Sequence, residues 1–186
     1  MKIILDAMGG DNAPQAAVLG AFDAAKDFGI QVILVGRGEE ILQVMKDNNI
    51  SDLPDGVEIA HADDVVDMHD DPGKVLHQRK NSSMVLGLKK LADGEGDAMV
   101  SAGSTGALLT GATLLVKRVR GIRRAAMGPA VPNKLGGKTV ICDCGANAEC
   151  TPEFLLQFAL VGSVYARQQL GVENPKVGLL NIGIED

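Results

Sequence analysis

The stretch Lys2-Ile3-Ile4-Leu5-Asp6-Ala7-Met8-Gly9-Gly10-Asp11-Asn12-Ala13-Pro14 joins a short apolar run to a polar segment that carries two glycines. The apolar residues predict a buried β-strand over residues 2–5. A helical pattern follows from Pro14 to Phe28, and Pro14 suits a first helical turn because its missing N–H has no partner there anyway. The next apolar run, residues 31–35, predicts a second strand. This order of elements is the βαβ unit of a parallel sheet.

The same alternation continues along the chain and predicts an α/β fold with a mostly parallel, doubly wound sheet. We expect one α/β domain over residues 1–186, with Asp11 or Asn12 as the side-chain cap of the first helix. Further strands are predicted at residues 57–60, 97–101, 125–131, 138–142 and 176–181. Further helices are predicted at residues 39–48, 73–91 (broken near 81–82), 105–118 and 151–170.

The composition excludes some classes of protein. Hydrophobic residues make up 46% of the 186 residues and aromatic residues only 3%, so the core must be aliphatic. The formal net charge of −6 argues against a duplex-binding protein, and we expect no nucleic acid partner. Basic residues cluster locally in the run from Lys117 to Arg124. This run suits either a solvated helix end or a docking patch for an acidic partner or an anionic lipid surface.

The cysteines and the longest uncharged stretch bear on location. An odd number of cysteines (Cys142, Cys144 and Cys150) without a secretory signal is typical of the reducing cytoplasm. Tetrahedral zinc takes four ligands and no histidine is near in sequence, so we expect small buried side chains at these positions. Residues 98–116 carry no charge, but their glycines and changing pattern predict a strand, a turn and a buried helix rather than a membrane span.

The segment Ser101-Ala102-Gly103-Ser104-Thr105-Gly106 suits a phosphate site. Its glycines let the backbone come close to a ligand, its hydroxyls add donors, and the helix that follows directs N–H groups at the same point. It lacks the Lys-Ser/Thr ending of a Walker motif, and it does not have the G-x-G-x-x-G pattern of dinucleotide sites. A tight turn with capping hydroxyls explains the same residues equally well.

Two further groups of polar residues admit both a functional and a structural interpretation. Arg79-Lys80-Asn81-Ser82-Ser83 suits a phosphate clamp, or a surface helix break with Ser82 or Ser83 as its cap. Asp6, Asp11 and Asp143 suit a Mg²⁺ site, the orientation of a cation, or helix capping. Because open α/β sheets bind ligands at the carboxyl ends of their strands, we expect the polar segments to meet at one sheet edge. They are residues 6–14, 101–106, 143–147 and 181–183.

Five segments, in this order, resemble the phosphate acyltransferases of phospholipid synthesis. They are residues 6–14, Arg79-Lys80-Asn81-Ser82-Ser83-Met84, Ser101-Ala102-Gly103-Ser104-Thr105-Gly106-Ala107-Leu108, Asp143-Cys144-Gly145-Ala146-Asn147 and Gly178-Leu179-Leu180-Asn181-Ile182-Gly183. Ser104, Arg124 and Ile184 depart from the family's usual Asn, Pro and acidic residue. The resemblance spans the chain but little more than half of the family's length, which implies the N-terminal portion of a longer two-lobed enzyme.

The resemblance implies a fold similar to those of isocitrate and isopropylmalate dehydrogenases and phosphotransacetylases. It also implies a reaction in which an acyl group moves from acyl carrier protein to inorganic phosphate, giving acyl phosphate and the free carrier. Phosphate is itself the nucleophile, so the absence of a visible catalytic triad is compatible with this chemistry. We expect no cofactor and no metal.

Hypothetical residue roles follow from the need to hold phosphate at the thioester carbonyl and to stabilise the oxyanion. The phosphate would be cradled by Ser101, Gly103, Ser104, Thr105 and Gly106 and neutralised by Lys80 with Ser82 and Ser83. The oxyanion or the pantetheine arm would be held by Asn147, Asn181 and backbone amides, and Gly183 would bind substrate or phosphate. Asp6 and Asp143 would orient the donors.

The implied partners are acyl carrier protein and inorganic phosphate. The implied assembly is a cytoplasmic homodimer with peripheral contact to the inner face of the cell membrane. Two other functions stay open. Fold analogy allows an NAD-dependent dehydrogenase of the isopropylmalate type. A half-length chain also suits an inactive module that binds acyl carrier protein through the basic run.

Overall fold

The computed structural model describes residues 1–147 and 149–180, and the chain divides into two compact units, Met1–Lys117 and Arg118–Asp186. The first unit holds a parallel sheet with its helices, and the second holds a two-stranded sheet and a long helix. The organisation as a single domain over residues 1–186 stays a prediction beside this division.

Four parallel strands organise the first unit. They are β1 (Lys2–Asp6), β2 (Gln31–Gly36), β3 (Val57–His61) and β4 (Ala98–Val100), and their order in the sheet is β3-β2-β1-β4. Every neighbouring pair is parallel, because each connection contains at least one helix that returns the chain to the same end. The helices are α1 (Gln15–Phe28), α2 (Gly38–Asp47), α3 (Val75–Gln78), α4 (Ser83–Ala92) and α5 (Thr105–Gly111). The prediction of a mostly parallel α/β sheet is confirmed.

The two faces of β2 enter two different apolar clusters. Val32 and Leu34 pack in a cluster with buried side chains of α1 and α2. Ile33 and Val35 pack with Ile4 and with residues of α4. Successive side chains of a strand point to opposite faces, so helices cover the sheet on both sides. This double coverage explains why β2 is an almost continuous apolar run.

In the second unit, the short strands β5 (Ala130–Pro132) and β6 (Lys138–Val140) pair antiparallel. Helix α6 (Pro152–Leu170) begins where the sequence predicts it. The Thr151 hydroxyl accepts a hydrogen bond from the Phe154 N–H at 3.4 Å, and Pro152 fills the first helical position. The helix ends at Gly171, whose φ of 68° is left-handed.

Helix α6 carries a ridge of exposed aliphatic side chains. Leu156, Leu160 and Val164 are 62%, 57% and 50% exposed. Their spacing of four residues places them one above the other on the same face of the helix. This ridge is part of the surface of the second unit.

The side-chain cap predicted for α1 is wrong. The helix begins at Gln15 with Pro14 at the N-cap position, and no side chain caps it. Instead, residues 11–14 form a turn in which the Ala16 N–H donates to the Asn12 carbonyl at 3.0 Å. The Asn12 carbonyl thus accepts from an N–H group of the first turn that a capping side chain would otherwise have bonded.

One predicted strand is shorter than expected, and the described residues of another form no strand. Of residues 125–131, only the last two belong to β5, because the Met127 N–H and carbonyl bond to Asp143 and to the Cys144 N–H instead of to a neighbouring strand. Residues 176–180 have no strand, and none of the described residues pairs with them. Residue 181 lies outside the described residues.

Residues 98–116 form a strand, a turn and a helix, as the sequence predicts, but the helix is only partly buried. Helix α5 passes into a π-helical segment, Ala112–Val116, which ends before the predicted end of the helix at residue 118. Lys117, with a φ of 74°, turns the chain away from the helix. Within the described ranges, no helix has both the length and the apolar character needed to cross a bilayer.

Two glycines of α1 offer a matched test of the helix. A Cβ at either Gly20 or Gly29 would meet no heavy atom within 4 Å, so packing does not distinguish them. Gly20 lies inside the helix, and Gly20→Ala should raise the free energy of unfolding by about 0.5–1 kcal/mol. Gly29 closes the helix with a φ of 61°, and Gly29→Ala should lower it by about 1 kcal/mol. Because the chain has no Trp, denaturation followed by circular dichroism is the suitable measurement. Effects of equal sign would contradict the assigned helix end.

Candidate functional site

A buried carboxylate joins two loops at the carboxyl edge of the parallel sheet. Asp6, at the end of β1, is 2% exposed. Its Oδ2 accepts a hydrogen bond from the Ser101 hydroxyl at 2.7 Å, and its Oδ1 accepts one from the Met8 N–H at 3.1 Å. The Ser101 oxygen in turn accepts from the Gly103 N–H at 3.1 Å. The segments at residues 6–14 and 101–106 therefore meet, as the sequence predicts for this edge.

Glycine makes this meeting possible because the two loops touch through their backbones. A Cβ added at Gly9 would lie 2.7 Å from the Asp6 Oδ2 and 2.8 Å from the Gly103 nitrogen. Both distances are shorter than any real Cβ contact. A side chain at Gly9 would thus displace either the buried carboxylate or the backbone of the second loop.

A cavity of about 350 Å³ lies beside these loops. Gly10 and Gly103 line it from the two loops, and residues 64–68 line it from the segment after β3. Among the described residues, its basic lining residues are Arg37 and Arg79. Its carboxylate lining groups are Asp11, Asp64 and Asp67. The cavity therefore combines close backbone approach with charges of both signs.

The remaining residues predicted after β4 take different positions. Ser104 is buried, and its Oγ accepts a hydrogen bond from the Ala107 N–H at 3.4 Å, so its hydroxyl caps α5. Thr105 is exposed. Gly106 packs against Pro72, since an added Cβ would lie 3.0 Å from the Pro72 Cγ. Thr105 is thus the exposed hydroxyl of this segment, and it lies outside the cavity lining.

The segment at residues 79–83 is a helix break with a capping serine. The Ser82 Oγ accepts a hydrogen bond from the Val85 N–H at 3.3 Å at the start of α4, and Ser82 and Ser83 are both buried. Within the described part of the chain, the Ser83 hydroxyl has no hydrogen-bond partner. Lys80 is exposed and lies outside the cavity lining. The roles of Lys80, Ser82 and Ser83 in phosphate binding stay predictions.

Asp143 and Asn147 organise a loop of the second unit. The Asp143 carboxylate accepts hydrogen bonds from the Met127 N–H at 2.8 Å, from the Asn147 N–H at 2.8 Å and from the Asn147 amide at 3.1 Å. Burial raises the pKa of Asp143, but these hydrogen bonds outweigh it and hold the pKa below its usual value. The expectation that this segment follows a strand of the parallel sheet is wrong, because β6 belongs to the two-stranded sheet.

Asn181 and Gly183, which the sequence predicts as binding residues, lie outside the described residues. The cysteine prediction is partly wrong: Cys142 is half-buried, whereas Cys144 and Cys150 are exposed. Burial, and then the nearby Asp143 charge, raise the pKa of the Cys142 thiol.

Near the end of the basic run, Arg123 pairs with Glu153 at 2.9 Å and the Arg124 guanidinium lies 5.4 Å from the centre of the Phe154 ring. These two arginines therefore contact the first turn of α6.

Sequence reasoning missed Arg37, and it included Arg79 in a candidate phosphate clamp but assigned the neutralising role to Lys80. Arg79 donates from Nε and Nη2 to the two carboxylate oxygens of Asp70, at 2.8 and 3.1 Å, and from Nη1 to Asp64 at 3.2 Å. Arg37 donates from Nη1 to Glu40 at 2.8 Å. The signal for Arg79 was its place in the Arg79–Ser83 segment, together with the aspartates at residues 63–71 that provide carboxylate partners.

The family model described as "Fatty acid synthesis protein" matches residues 1–186, the whole chain. The chain belongs to this family. It is 44% identical over 186 residues to a phosphate acyltransferase of Clostridioides difficile, and 43% identical over 187 residues to one of Bacillus licheniformis. Each alignment covers 100% of this chain but 54% and 55% of the relative, so the chain spans about half the length of the curated relatives it matches.

A solved structure confirms the fold. The phosphotransacetylase of Streptococcus pyogenes superposes with a TM-score of 0.67 at 21% sequence identity. The match covers 90% of this chain and 54% of that protein. At this identity, the likeness concerns the architecture, which is the phosphotransacetylase-like α/β fold expected from the sequence.

The contact between the loops predicts the effect of Gly9→Ala. The added methyl group must displace Asp6 or the Gly103 backbone, so the variant should lose about 1–3 kcal/mol of stability, as expected for overpacking at a closely packed position. Gly20→Ala is the control, since it adds the same methyl group in open space. Thermal unfolding followed by circular dichroism measures both. A Gly9→Ala variant as stable as the parent would show that the loops do not touch.

The lowered pKa of Asp143 predicts a pH-dependent contribution to stability. The unfolded side chain has its ordinary pKa of about 4, and the folded value is lower, so ionised Asp143 stabilises the fold above about pH 4. That contribution is lost as the pH falls through the folded pKa. Asp143→Asn should therefore be less stable than the parent at pH 7, and the difference should shrink below about pH 4. Urea denaturation at several pH values measures this, and a constant difference would contradict it.

Proposed function

We propose that this chain forms the phosphate-binding half of an acyltransferase that moves a fatty acyl group from acyl carrier protein to inorganic phosphate. The observation that carries the proposal is the buried Asp6–Ser101 hydrogen bond, which holds two glycine-bearing loops together beside a cavity that contains arginines. Family membership and relatives named phosphate acyltransferase support the acyl transfer. They favour it over the dehydrogenase that fold analogy allows.

The proposed reaction needs little from the protein beyond placement and charge. A phosphate oxygen attacks the thioester carbonyl carbon, and the carbonyl oxygen becomes an oxyanion. When this intermediate collapses, the carbon–sulfur bond breaks, and the carrier leaves as a thiolate that takes up a proton. Phosphate is partly a dianion at neutral pH, so it needs little activation as a nucleophile. Holding one of its oxygens over the face of the carbonyl carbon therefore supplies much of the catalysis.

The hydrogen bonds separate the residues that hold the loops from those that we assign to ligand contacts. The Ser101 hydroxyl donates to Asp6 and accepts from the Gly103 N–H, so we assign Asp6 and Ser101 to holding the loop rather than to the ligand. Thr105 and Lys80 are exposed and lie outside the cavity lining, and we assign their polar groups to contacts with phosphate. In the second unit, we assign Asn147 to an oxyanion or pantetheine contact and Asp143 to holding Asn147 in place.

We also propose that the enzyme works as a homodimer in the cytoplasm, with peripheral contact to the inner face of the cell membrane. Acyl carrier protein and inorganic phosphate are its proposed partners. The family resemblance supports these statements. Thiol-release kinetics alone do not test the dimer, so sedimentation of the active protein is the suitable complement.

Replacing either accessible group should raise the phosphate requirement. Lys80→Ala and Thr105→Val should each raise the KM for phosphate by about tenfold, the size expected for loss of one hydrogen bond to a charged group. The measurement is release of free carrier thiol from an acyl carrier thioester at varied phosphate. Lys26→Ala, an exposed lysine in the last turn of α1, is the control and should keep the parent KM.

The assay is run on this chain and on a chimera in which residues 1–186 replace the matching half of the Clostridioides difficile relative. Unchanged phosphate dependence in both variants would remove the assignment of Lys80 and Thr105. Carrier binding without phosphate-dependent thiol release, in both chain and chimera, would favour a binding module over an enzyme.

A further inference from the structure

We infer that Arg79 is the phosphate-binding cation of the cavity and that Asp70 competes with phosphate for it. This inference rests on the proposed function and names a residue of its phosphate site. It also provides a reason why an arginine beside a glycine-bearing loop is paired with a carboxylate.

The pairing of Arg79 has the geometry with which arginine binds phosphate. Its Nε and Nη2 donate in parallel to the two oxygens of Asp70, at 2.8 and 3.1 Å. Two parallel N–H donors suit a pair of phosphate oxygens as well as a carboxylate. The Asp70 carboxylate therefore takes the place on the guanidinium fork that a tetrahedral oxyanion would take.

The other cavity arginine is held differently. The Nη1 of Arg37 donates to Glu40, three residues further along, and its Nε donates to the Asp63 carbonyl at 3.2 Å. Arg37 thus bonds one carboxylate through a single nitrogen. Arg79, in contrast, directs two N–H donors at one carboxylate. Its side chain is about one third exposed.

The Asp70 carboxylate can be displaced from Arg79 by an anion that binds the guanidinium more strongly. It lies in the irregular segment between β3 and α3, and its Oδ2 also accepts a hydrogen bond from the Asp67 N–H at 2.8 Å. Hydrogen bonding to Arg79 holds the pKa of Asp70 below its usual value, so the carboxylate is ionised at neutral pH. A rotation of this side chain would expose the fork without changing any helix or strand.

Because carboxylates surround the cavity, the competition between Asp70 and phosphate for Arg79 determines how tightly phosphate binds. Asp11, Asp64 and Asp67 line it, against two guanidinium groups. A phosphate dianion would be repelled there unless it gained a guanidinium, and Arg79 is neutralised by Asp70 and Asp64. Removing the Asp70 charge should therefore strengthen phosphate binding, which is the opposite of what loss of a ligand residue would do.

Asp70→Asn tests the inference, with Asp71→Asn as its matched control. The amide oxygen that replaces the Asp70 carboxylate can still accept from the Asp67 N–H, but it no longer carries the competing charge. Asp71 is the adjacent carboxylate, and it accepts from the Gly73 N–H and pairs with Lys74 instead of Arg79. Binding of inorganic phosphate to this chain is measured by calorimetry, with circular dichroism as the check on folding.

We expect Asp70→Asn to bind phosphate about threefold to fivefold more tightly, the size of one partly exposed ion pair. Asp71→Asn should bind like the parent. Arg79→Lys keeps the charge but loses the fork, and should bind about tenfold more weakly. A folded Asp70→Asn variant with unchanged or weaker phosphate binding, or a folded Arg79→Lys variant that binds like the parent, would overturn the inference.

Thiol release measured with the same substitutions in the chimera separates this inference from the proposed function. Phosphate-dependent release with parental phosphate KM in both Asp70→Asn and Arg79→Lys would leave the function standing and overturn the role of Arg79. The expected binding changes without any thiol release would support the role of Arg79 and count against the acyltransferase. A parent chain that does not bind phosphate, together with a chimera that does not release thiol, would overturn both.

Discussion

The carboxylate of Asp6 has to be buried for the two glycine-bearing loops to meet, and a buried carboxylate is tolerated only when its oxygens are hydrogen-bonded. The Met8 N–H and the Ser101 hydroxyl supply those bonds from residues 2 and 95 positions away. The local bond shapes the turn after β1, and the distant one joins that turn to the end of β4. The position of the cavity depends on this pair, because Gly10 and Gly103 reach it from the two joined loops.

Much of the first unit could be predicted because local pattern and tertiary structure agree there. The apolar run of β2 is buried on both faces, so its length and type follow from its residues alone. The second unit was harder to predict. Residues 125–129 carry no charge and precede an apolar pair, but the backbone of Met127 bonds to the Asp143 loop, and residues that are distant in sequence determine this pairing.

The candidate site was predictable where glycines and hydroxyls follow a strand, and less so where side chains pair. The segments at residues 6–14 and 101–106 meet as expected, because parallel strands bring their carboxyl ends together. Ser82 and Ser104 were proposed as ligand residues, yet both cap helices, a role that the sequence left equally open. The pairing of Arg79 with Asp70 depends on how an irregular segment folds back, and no periodicity encodes that path.

The aliphatic ridge of α6 has a practical consequence for anyone who prepares this polypeptide. Leu156, Leu160 and Val164 present a row of branched hydrocarbon to the solvent, and such rows are covered in stable assemblies or else bring molecules together. Concentrated samples should therefore be handled with a mild detergent or at low ionic strength. Crystallisation trials would gain from replacing one leucine of the ridge by a charged residue.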